Sequence, residues 1–213
     1  MTRRRIVVFG FALAVMLIIF GLGQLVGSIS QFAVGPRAAE QQIAGLKAHI
    51  NSAFSGSEGG KTLPPERRAR LNAKLDKAGA EMQEYVTSPV VRMRLVINAL
   101  LALAAIVGGF GALALYEWAR ELVVWQAWGA VVLTLLFAWN IAPSASIAEA
   151  TLELLEDPAI QQHTREIIYR GQMLTTIVAV ASGALWNGFL IWFFNRRQVA
   201  GQFRAAQPAE QAS

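Results

Sequence analysis

Residues 95–116 read LVINALLALAAIVGGFGALALY, a stretch of 22 residues without a charged side chain. A helix needs about 20 mostly apolar residues to cross the hydrocarbon core of a bilayer. An unpaired backbone N–H or C=O group costs several kcal/mol in lipid, so a helix is the expected form of such a stretch. These residues therefore predict a membrane-spanning helix, and they decide the class of fold.

Three further stretches have the same character, at residues 6–27, 122–141 and 173–194. None of them contains Asp, Glu, Lys, Arg or His, and none shows the period-two alternation of an outer-membrane barrel. We therefore predict an all-α polytopic membrane protein with four transmembrane helices. The first apolar run continues almost unbroken to Gly35, so we interpret it as an uncleaved signal anchor rather than a cleaved signal peptide.

The composition agrees with a membrane protein and excludes several kinds of chemistry. Charged residues make up only 15% of the 213 residues, whereas a soluble domain carries about 25%. The chain has no cysteine, which excludes disulfides, thiolate metal sites, iron–sulfur clusters and cysteine nucleophiles. Spans without ionisable groups disfavour a proton-driven transporter acting alone. The net charge of +5 comes partly from arginines at membrane flanks, where lipid phosphate is the expected partner, so we expect no nucleic-acid binding.

The orientation is predicted from basic residues beside the spans, because Lys and Arg accumulate on the cytoplasmic side. With four spans, one side of the membrane receives the flanking arginines Arg3, Arg4, Arg5, Arg120, Arg196 and Arg197. This distribution predicts a multi-pass protein of the bacterial inner membrane with both termini in the cytoplasm. Arg92 and Arg94 lie beside the second span on the opposite side and count against this orientation.

The first loop, residues 36–88, is predicted to form an antiparallel helical hairpin outside the membrane. Apolar residues recur three and four positions apart on both arms, which is the spacing of a coiled-coil seam. The seam residues are Ile43, Leu46, Ile50, Leu71, Leu75 and Met82. The Gly- and Ser-rich residues 55–60 predict the turn between the arms.

Two proline-containing pairs mark the ends of this hairpin. Gly35-Pro36 is predicted to break the first helix, and Ser88-Pro89 is predicted to cap and start the second membrane helix. Two arrangements are open for the hairpin. It either projects from the membrane, or it lies flat with the basic residues of its second arm against anionic headgroups.

The second loop, residues 142–172, is net negative, whereas the first loop is net positive. Ser146 followed by Glu149 matches a capping box, which predicts a short helix ending near residue 156. The acidic residues on one face of this helix are Glu149, Glu153 and Glu156. We expect this face to dock on the basic arm of the hairpin. His163 and Glu166 share a helix face, but a salt-bridged surface explains them and we expect no metal site.

The spans contain a few polar residues and a pattern of small ones. The intramembrane polar residues are Gln24, Asn98, Asn140, Thr175 and Asn187. The first four either line an outer vestibule or form hydrogen bonds between helices worth about 0.6 kcal/mol each, and we favour the second interpretation. Small residues four positions apart, such as Gly23 with Gly27 and Gly108 with Ala112, predict close helix packing or self-association.

The predicted organisation has eight segments. They are an N-terminal arginine cluster with the first span (1–35), the outer, periplasmic hairpin (36–88), the second span (89–116), a short cytoplasmic link (117–121), the third span (122–141), an acidic outer loop with short helices (142–172), the fourth span (173–194) and a disordered cytoplasmic tail (195–213).

The sequence contains no phosphate loop, Rossmann glycine pattern or serine nucleophile elbow. We therefore expect a non-enzymatic accessory, scaffold or sensory protein, without cofactor, that engages an envelope partner through the hairpin. The alternative is a small oligomeric channel or transporter subunit. The expected partners are the lipid bilayer, a second copy of the chain, or a membrane or periplasmic protein. The layout is similar to that of tetraspanins in topology alone, because the chain lacks the cysteines that their loop disulfides need.

Overall fold

The computed structural model describes residues 3–55, 64–137, 144–152, 154–155 and 158–206, without the side chains of residues 3–8, 53–55, 144–146 and 148. These residues form seven α-helices, namely α1 (Arg3–Ser55), α2 (Pro65–Thr87), α3 (Pro89–Leu113), α4 (Glu117–Phe137), α5 (Ser144–Leu152), α6 (Pro158–Asn195) and α7 (Arg197–Ala205). Four of them, α1, α3, α4 and α6, are long and apolar enough to cross a membrane. The prediction of a helical protein with four apolar helices is therefore confirmed.

The chain divides into two compact units, each of which is made of separate segments. The first, here called the apolar unit, consists of Met1–Ser30, Met93–Trp139 and Val178–Ser213. The second, here called the loop unit, consists of Gln31–Arg92 and Asn140–Ile177. The long helices α1 and α6 each contribute residues to both units.

In the apolar unit, α1 and α3 approach each other closely at two glycines. A Cβ atom added to Gly21 would lie 2.9 Å from the carbonyl oxygen of Ala102, and one added to Gly109 would lie 3.0 Å from that of Ala14. The first distance is shorter than real Cβ contacts and the second is tighter than most of them, so a larger residue at either position would push against backbone of the opposite helix. Small residues allow helices to approach where no hydrophobic effect drives them together in lipid.

A close approach at a glycine also joins α3 to α4, and a contact between aromatic rings joins α1 to α6. A Cβ atom on Gly108 would lie 2.8 Å from Val123, whose side chain is fully buried. The ring of Phe9 on α1 packs edge-on against that of Phe193 on α6, with centroids 5.4 Å apart. By contrast, a Cβ atom on Gly23 or Gly27 would meet no described atom within 4 Å. The predicted close packing therefore occurs at Gly108, but not at the Gly23 and Gly27 pair.

The predicted break of the first helix at Gly35-Pro36 is wrong, because α1 continues through Pro36 to Ser55. An internal proline removes one backbone hydrogen bond and costs about 3 kcal/mol. After the proline, however, α1 buries Ala39, Ile43 and Ile50 along one face. Burial of this apolar face offsets the lost hydrogen bond and keeps the segment helical.

The link between α3 and α4 lies at residues 114–116 rather than at the predicted 117–121. The N–H of Tyr116 donates to the carbonyl of Gly111 (3.0 Å), and the N–H of Leu115 donates to that of Ala112 (3.2 Å). This is the Schellman pattern of a helix C-terminus, and Leu115 adopts the left-handed conformation that it requires (φ 57°). Glycine usually occupies that position, so a leucine there does not reveal the turn.

The prediction of a disordered tail at 195–213 is wrong for residues 197–205, which form α7. Val199 and Phe203 are four positions apart and both are buried in the core of the apolar unit. Two apolar residues on one face are enough to hold a short helix against a larger core. The short helix α5 also ends earlier than predicted, at Leu152. The prediction at Ser88 is confirmed, because its Oγ accepts the N–H of Val91 (3.3 Å) at the start of α3.

The contact at Gly21 predicts a specific sensitivity to one added methyl group. We expect Gly21→Ala to destabilise the protein by about 1–3 kcal/mol, the usual cost of overpacking a tight contact. The matched control is Gly23→Ala on the same helix, where the Cβ atom has open space. Thermal unfolding in detergent, followed by circular dichroism, measures both. Equal melting temperatures for the two variants would contradict the close approach.

Candidate functional site

The loop unit is the candidate functional site, and its core joins three helices. The second half of α1 buries Ile50, α2 buries Leu71 and Leu75, and α5 buries Ala150, all in one apolar cluster. Leu46 on α1 packs at the edge of the cluster. The four buried residues of this cluster are each at most 5% exposed to solvent. The segments that the sequence assigns to the two outer loops therefore share one hydrophobic core.

The predicted seam residues on α1 and α2 are covered to different extents. Ile43, Ile50, Leu71 and Leu75 are buried, whereas Leu46 and Met82 are half-buried. A Cβ atom on Gly79 would lie 3.4 Å from the side chain of Ile43, so α2 also approaches α1 closely there.

Polar side chains join α1 and α2 on either side of this apolar contact. Lys47 forms an ion pair with Asp76. Gln83 Nε2 donates to Glu40 Oε1 (3.0 Å), and Arg68 Nε donates to Asn51 Oδ1 (3.2 Å). Pairs of this kind at or near the protein surface contribute little to stability, about 0–1 kcal/mol each. They matter for the alignment of the helices, because each pair determines which residues of α1 and α2 lie side by side.

The second loop packs on α2, as predicted, but Glu149 does not make that contact. The phenol of Tyr169 on α6 donates to Glu149 Oε1 (2.6 Å), and Arg165 Nε lies 3.9 Å from the same oxygen. Glu149 thus joins α5 to α6. The contact with α2 is made instead by Ala150 in the apolar cluster. The other predicted acidic residues, Glu153 and Glu156, lie outside the described residues, as does the predicted turn at 56–60.

One backbone carbonyl connects the second loop to both neighbouring helices. The oxygen of Leu155 accepts a hydrogen bond from Arg67 Nη2 on α2 (3.0 Å) and another from Gln161 Nε2 on α6 (2.7 Å). Sequence patterns did not identify Tyr169, Gln161 or Arg67 as donors to Glu149 and Leu155. The bond from Arg67 joins residues 88 positions apart, so no local spacing reveals it.

The flanking arginines differ in their surroundings. Arg120 on α4 is only 12% exposed, and its Nη1 donates to the carbonyl of Phe194 at the end of α6 (3.4 Å). The guanidinium of Arg196 lies over the ring of Trp192, 4.1 Å from the centroid, and Arg197 is exposed. Arg3, Arg4 and Arg5 begin α1, but their side chains are not among those described.

The hydrogen bonds described for two of the intramembrane polar residues lie within a single helix. Asn187 is buried, and its Nδ2 donates to the carbonyl of Gly183 on its own helix (2.8 Å). Thr175 likewise donates to Gly171 one turn before it (2.8 Å). Both bonds satisfy the side chain locally and connect nothing else. Gln24 is exposed, Asn98 is half-buried, and Asn140 lies outside the described residues.

Gln126 is a buried polar residue whose position the sequence did not single out. It lies on α4 in the apolar unit and is 7% exposed. Among the described residues, none offers a hydrogen bond to its Oε1 atom.

The described residues do not contain a group of three or more His, Asp or Glu side chains placed to hold a metal ion.

Comparison with known proteins gives no relative. No protein-family model matches the chain, no curated protein matches it, and no solved structure matches it.

The shared core of the loop unit predicts that α2 depends on Leu75. We expect Leu75→Ala to cost about 2–5 kcal/mol of local stability, because this side chain is fully buried. Hydrogen exchange across α2 should accelerate at least about tenfold, and exchange in α3 should stay unchanged. Glu84→Ala, on the exposed side of α2, is the control. Unchanged exchange in the leucine variant would show that this core does not hold α2.

The hydrogen bond between Tyr169 and Glu149 predicts a second, narrower effect. Tyr169→Phe removes the donor and keeps the ring, so amide exchange in α5 should rise several-fold while α2 keeps its protection. The same substitution at Tyr85 on α2 is the control, and we expect it to leave α5 unchanged. If amide exchange in α5 is equally slow in both variants, the hydrogen bond between Tyr169 and Glu149 does not hold that helix.

Proposed function

We propose that this protein is a non-enzymatic accessory, scaffold or sensory protein of the bacterial inner membrane, which engages an envelope partner through its loop unit. The observation that carries this proposal is the apolar core shared by Ile50, Leu71, Leu75 and Ala150. A core of this kind stabilises a folded body outside the apolar spans, and a folded body offers a fixed surface for recognition.

The pattern of polar pairs supports an antiparallel hairpin as the main part of this body. From Glu40 through Lys47 to Asn51, the partners on α2 are residues 83, 76 and 68. The partner number falls as the number on α1 rises, which is the order expected of two helices that run in opposite directions. The three-and-four spacing of the buried residues supports a coiled-coil seam between them.

The exposed face of α2 favours a protein as its partner rather than the membrane surface. Of the basic residues on this arm, Arg67 and Arg68 donate hydrogen bonds to groups of the loop unit itself. Such contacts reduce the number of cations that a flat hairpin would offer to lipid. Arg70 and Lys77 are exposed beside the small side chain of Ala73, and Lys77 Nζ lies 3.9 Å from Glu81 Oε1 on the same helix. A mixture of small and basic residues complements an acidic protein surface, and charge of this kind guides association.

The proposed topology has both termini in the cytoplasm and the hairpin in the periplasm. It rests on the flanking arginines, of which Arg196 stacks on Trp192. Trp and Arg together are typical of the interface between a bilayer and water.

A channel or transporter subunit is the second candidate, and Gln126 favours it. A buried amide oxygen without a described partner costs free energy unless water, a solute or another chain satisfies it. In an oligomer such a group would line a path rather than a core.

Site-specific crosslinking tests the leading proposal. A photoreactive amino acid at Ala73, on the exposed face of α2, should capture one defined envelope protein in intact cells. Arg70→Glu together with Lys77→Glu should reduce capture at least about fivefold, because these variants reverse the charge of the docking face. The same photoreactive residue at Ala205, at the end of α7, is the control and should not capture that protein.

Two outcomes would contradict the proposal. One is capture of the same protein from Ala73 and Ala205 alike. The other is solute flux through vesicles containing the purified protein, abolished by Gln126→Leu and unaffected by the charge reversals on α2. The second result would favour the channel.

A further inference from the structure

A small apolar cavity opens in the apolar unit where α7 packs. Its volume is about 80 Å³, and its lining includes Gly10, Phe11, Leu115, Phe193, Val199 and Phe203. Phe11 is 60% exposed, so the cavity has one wall at the protein surface. The surrounding helices α1, α3 and α6 are among those apolar enough to cross a membrane. The cavity therefore lies beside helices that are apolar enough to be surrounded by lipid.

Arginines flank several of the residues that line this apolar space. Arg204 follows the lining residue Phe203 and contacts Glu117 (3.0 Å between Arg204 Nε and Glu117 Oε1). Arg196 and Arg197 lie within one helical turn of Val199 and are both exposed. Against these cations and Arg120, the described residues of α4 and α7 offer only two acids. This end of the apolar unit thus combines apolar walls with a surplus of positive charge.

That combination complements a molecule with a hydrocarbon chain and an anionic head. A free anion would gain nothing from aromatic and aliphatic walls, and a neutral lipid would gain nothing from the arginines. Basic residues beside membrane helices attract anionic headgroups, and basic pockets between such helices bind them specifically. The charge and the apolar lining together select an anionic phospholipid.

We propose that this cavity binds an anionic phospholipid, with methylene groups of one acyl chain against Phe11, Phe193 and Phe203 and the phosphate among the arginines of α7. Lipid bound in this way fastens α7 to the bundle and makes its packing dependent on the lipid composition of the membrane. The site lies in the apolar unit and is independent of partner binding by the loop unit, so either proposal can fail alone.

The acyl-chain part is tested by filling the cavity. Gly10 lines it, and a Cβ atom there meets no described atom within 4 Å, so Gly10→Leu adds apolar volume at the lining with no clash at the Cβ atom. Gly23→Leu on the same helix also has open space and is the matched control. The full chain is placed in phosphatidylcholine nanodiscs containing a little phosphatidylglycerol with a photoreactive group on its acyl chain. We expect labelling of residues 189–206 to fall about tenfold for Gly10→Leu and to stay unchanged for Gly23→Leu.

The headgroup part is tested by a variant that keeps the apolar volume. Gln202 lines the cavity, and Gln202→Glu adds a negative charge with almost no change in shape. It should lower labelling by phosphatidylglycerol severalfold and leave labelling by photoreactive phosphatidylcholine unchanged. This variant keeps the proposal testable if Gly10→Leu does not fold.

Three results would overturn the proposal. Equal labelling of the wild type and both Gly10→Leu and Gln202→Glu would show that the lipid contacts only the outer surface. Equal labelling by the two lipid classes in the wild type would show that the arginines do not select an anionic head. Loss of labelling on addition of inorganic phosphate would assign the arginines to a free anion rather than to lipid.

Discussion

The close approach of α1 and α3 at Gly21 and Gly109 is the contact on which the apolar unit depends. Each glycine presses against backbone of the opposite helix, so neither helix can move apart without opening the space between them. In lipid no hydrophobic effect compensates for such a gap, because lipid tails are as apolar as the helix surfaces. Other contacts add the remaining helices to this pair. Gly108 of α3 packs against α4, and the ring of Phe9 on α1 packs against that of Phe193 on α6.

The core of the loop unit has a different composition. Here leucine, isoleucine and alanine form an apolar core in segments rich in charge. The short helix α5 joins this core through Ala150 and packs on α2. Tyr169 donates to its Glu149, and the carbonyl of Leu155, which follows α5, accepts hydrogen bonds from Arg67 and Gln161. Contacts from both α2 and α6 therefore hold this short segment in place.

Sequence patterns predicted the features that depend on local spacing. The apolar stretches and the cap at Ser88 follow from composition or pairs that neighbouring residues display. The failures have one cause in common, which is that distant contacts outweigh local preference. Pro36 stays inside a helix because the residues after it pack on α2, and α7 forms because two of its residues find a core. The left-handed Leu115 gave no signal, since glycine is the residue expected there.

The turn at Leu115 also couples the end of α3 to the start of α4. Three residues span at most about 11 Å when fully extended, and the Schellman hydrogen bonds hold residues 114–116 in a closed turn. A displacement of one helix is therefore passed directly to the other, so a change at this turn acts on both helices at once.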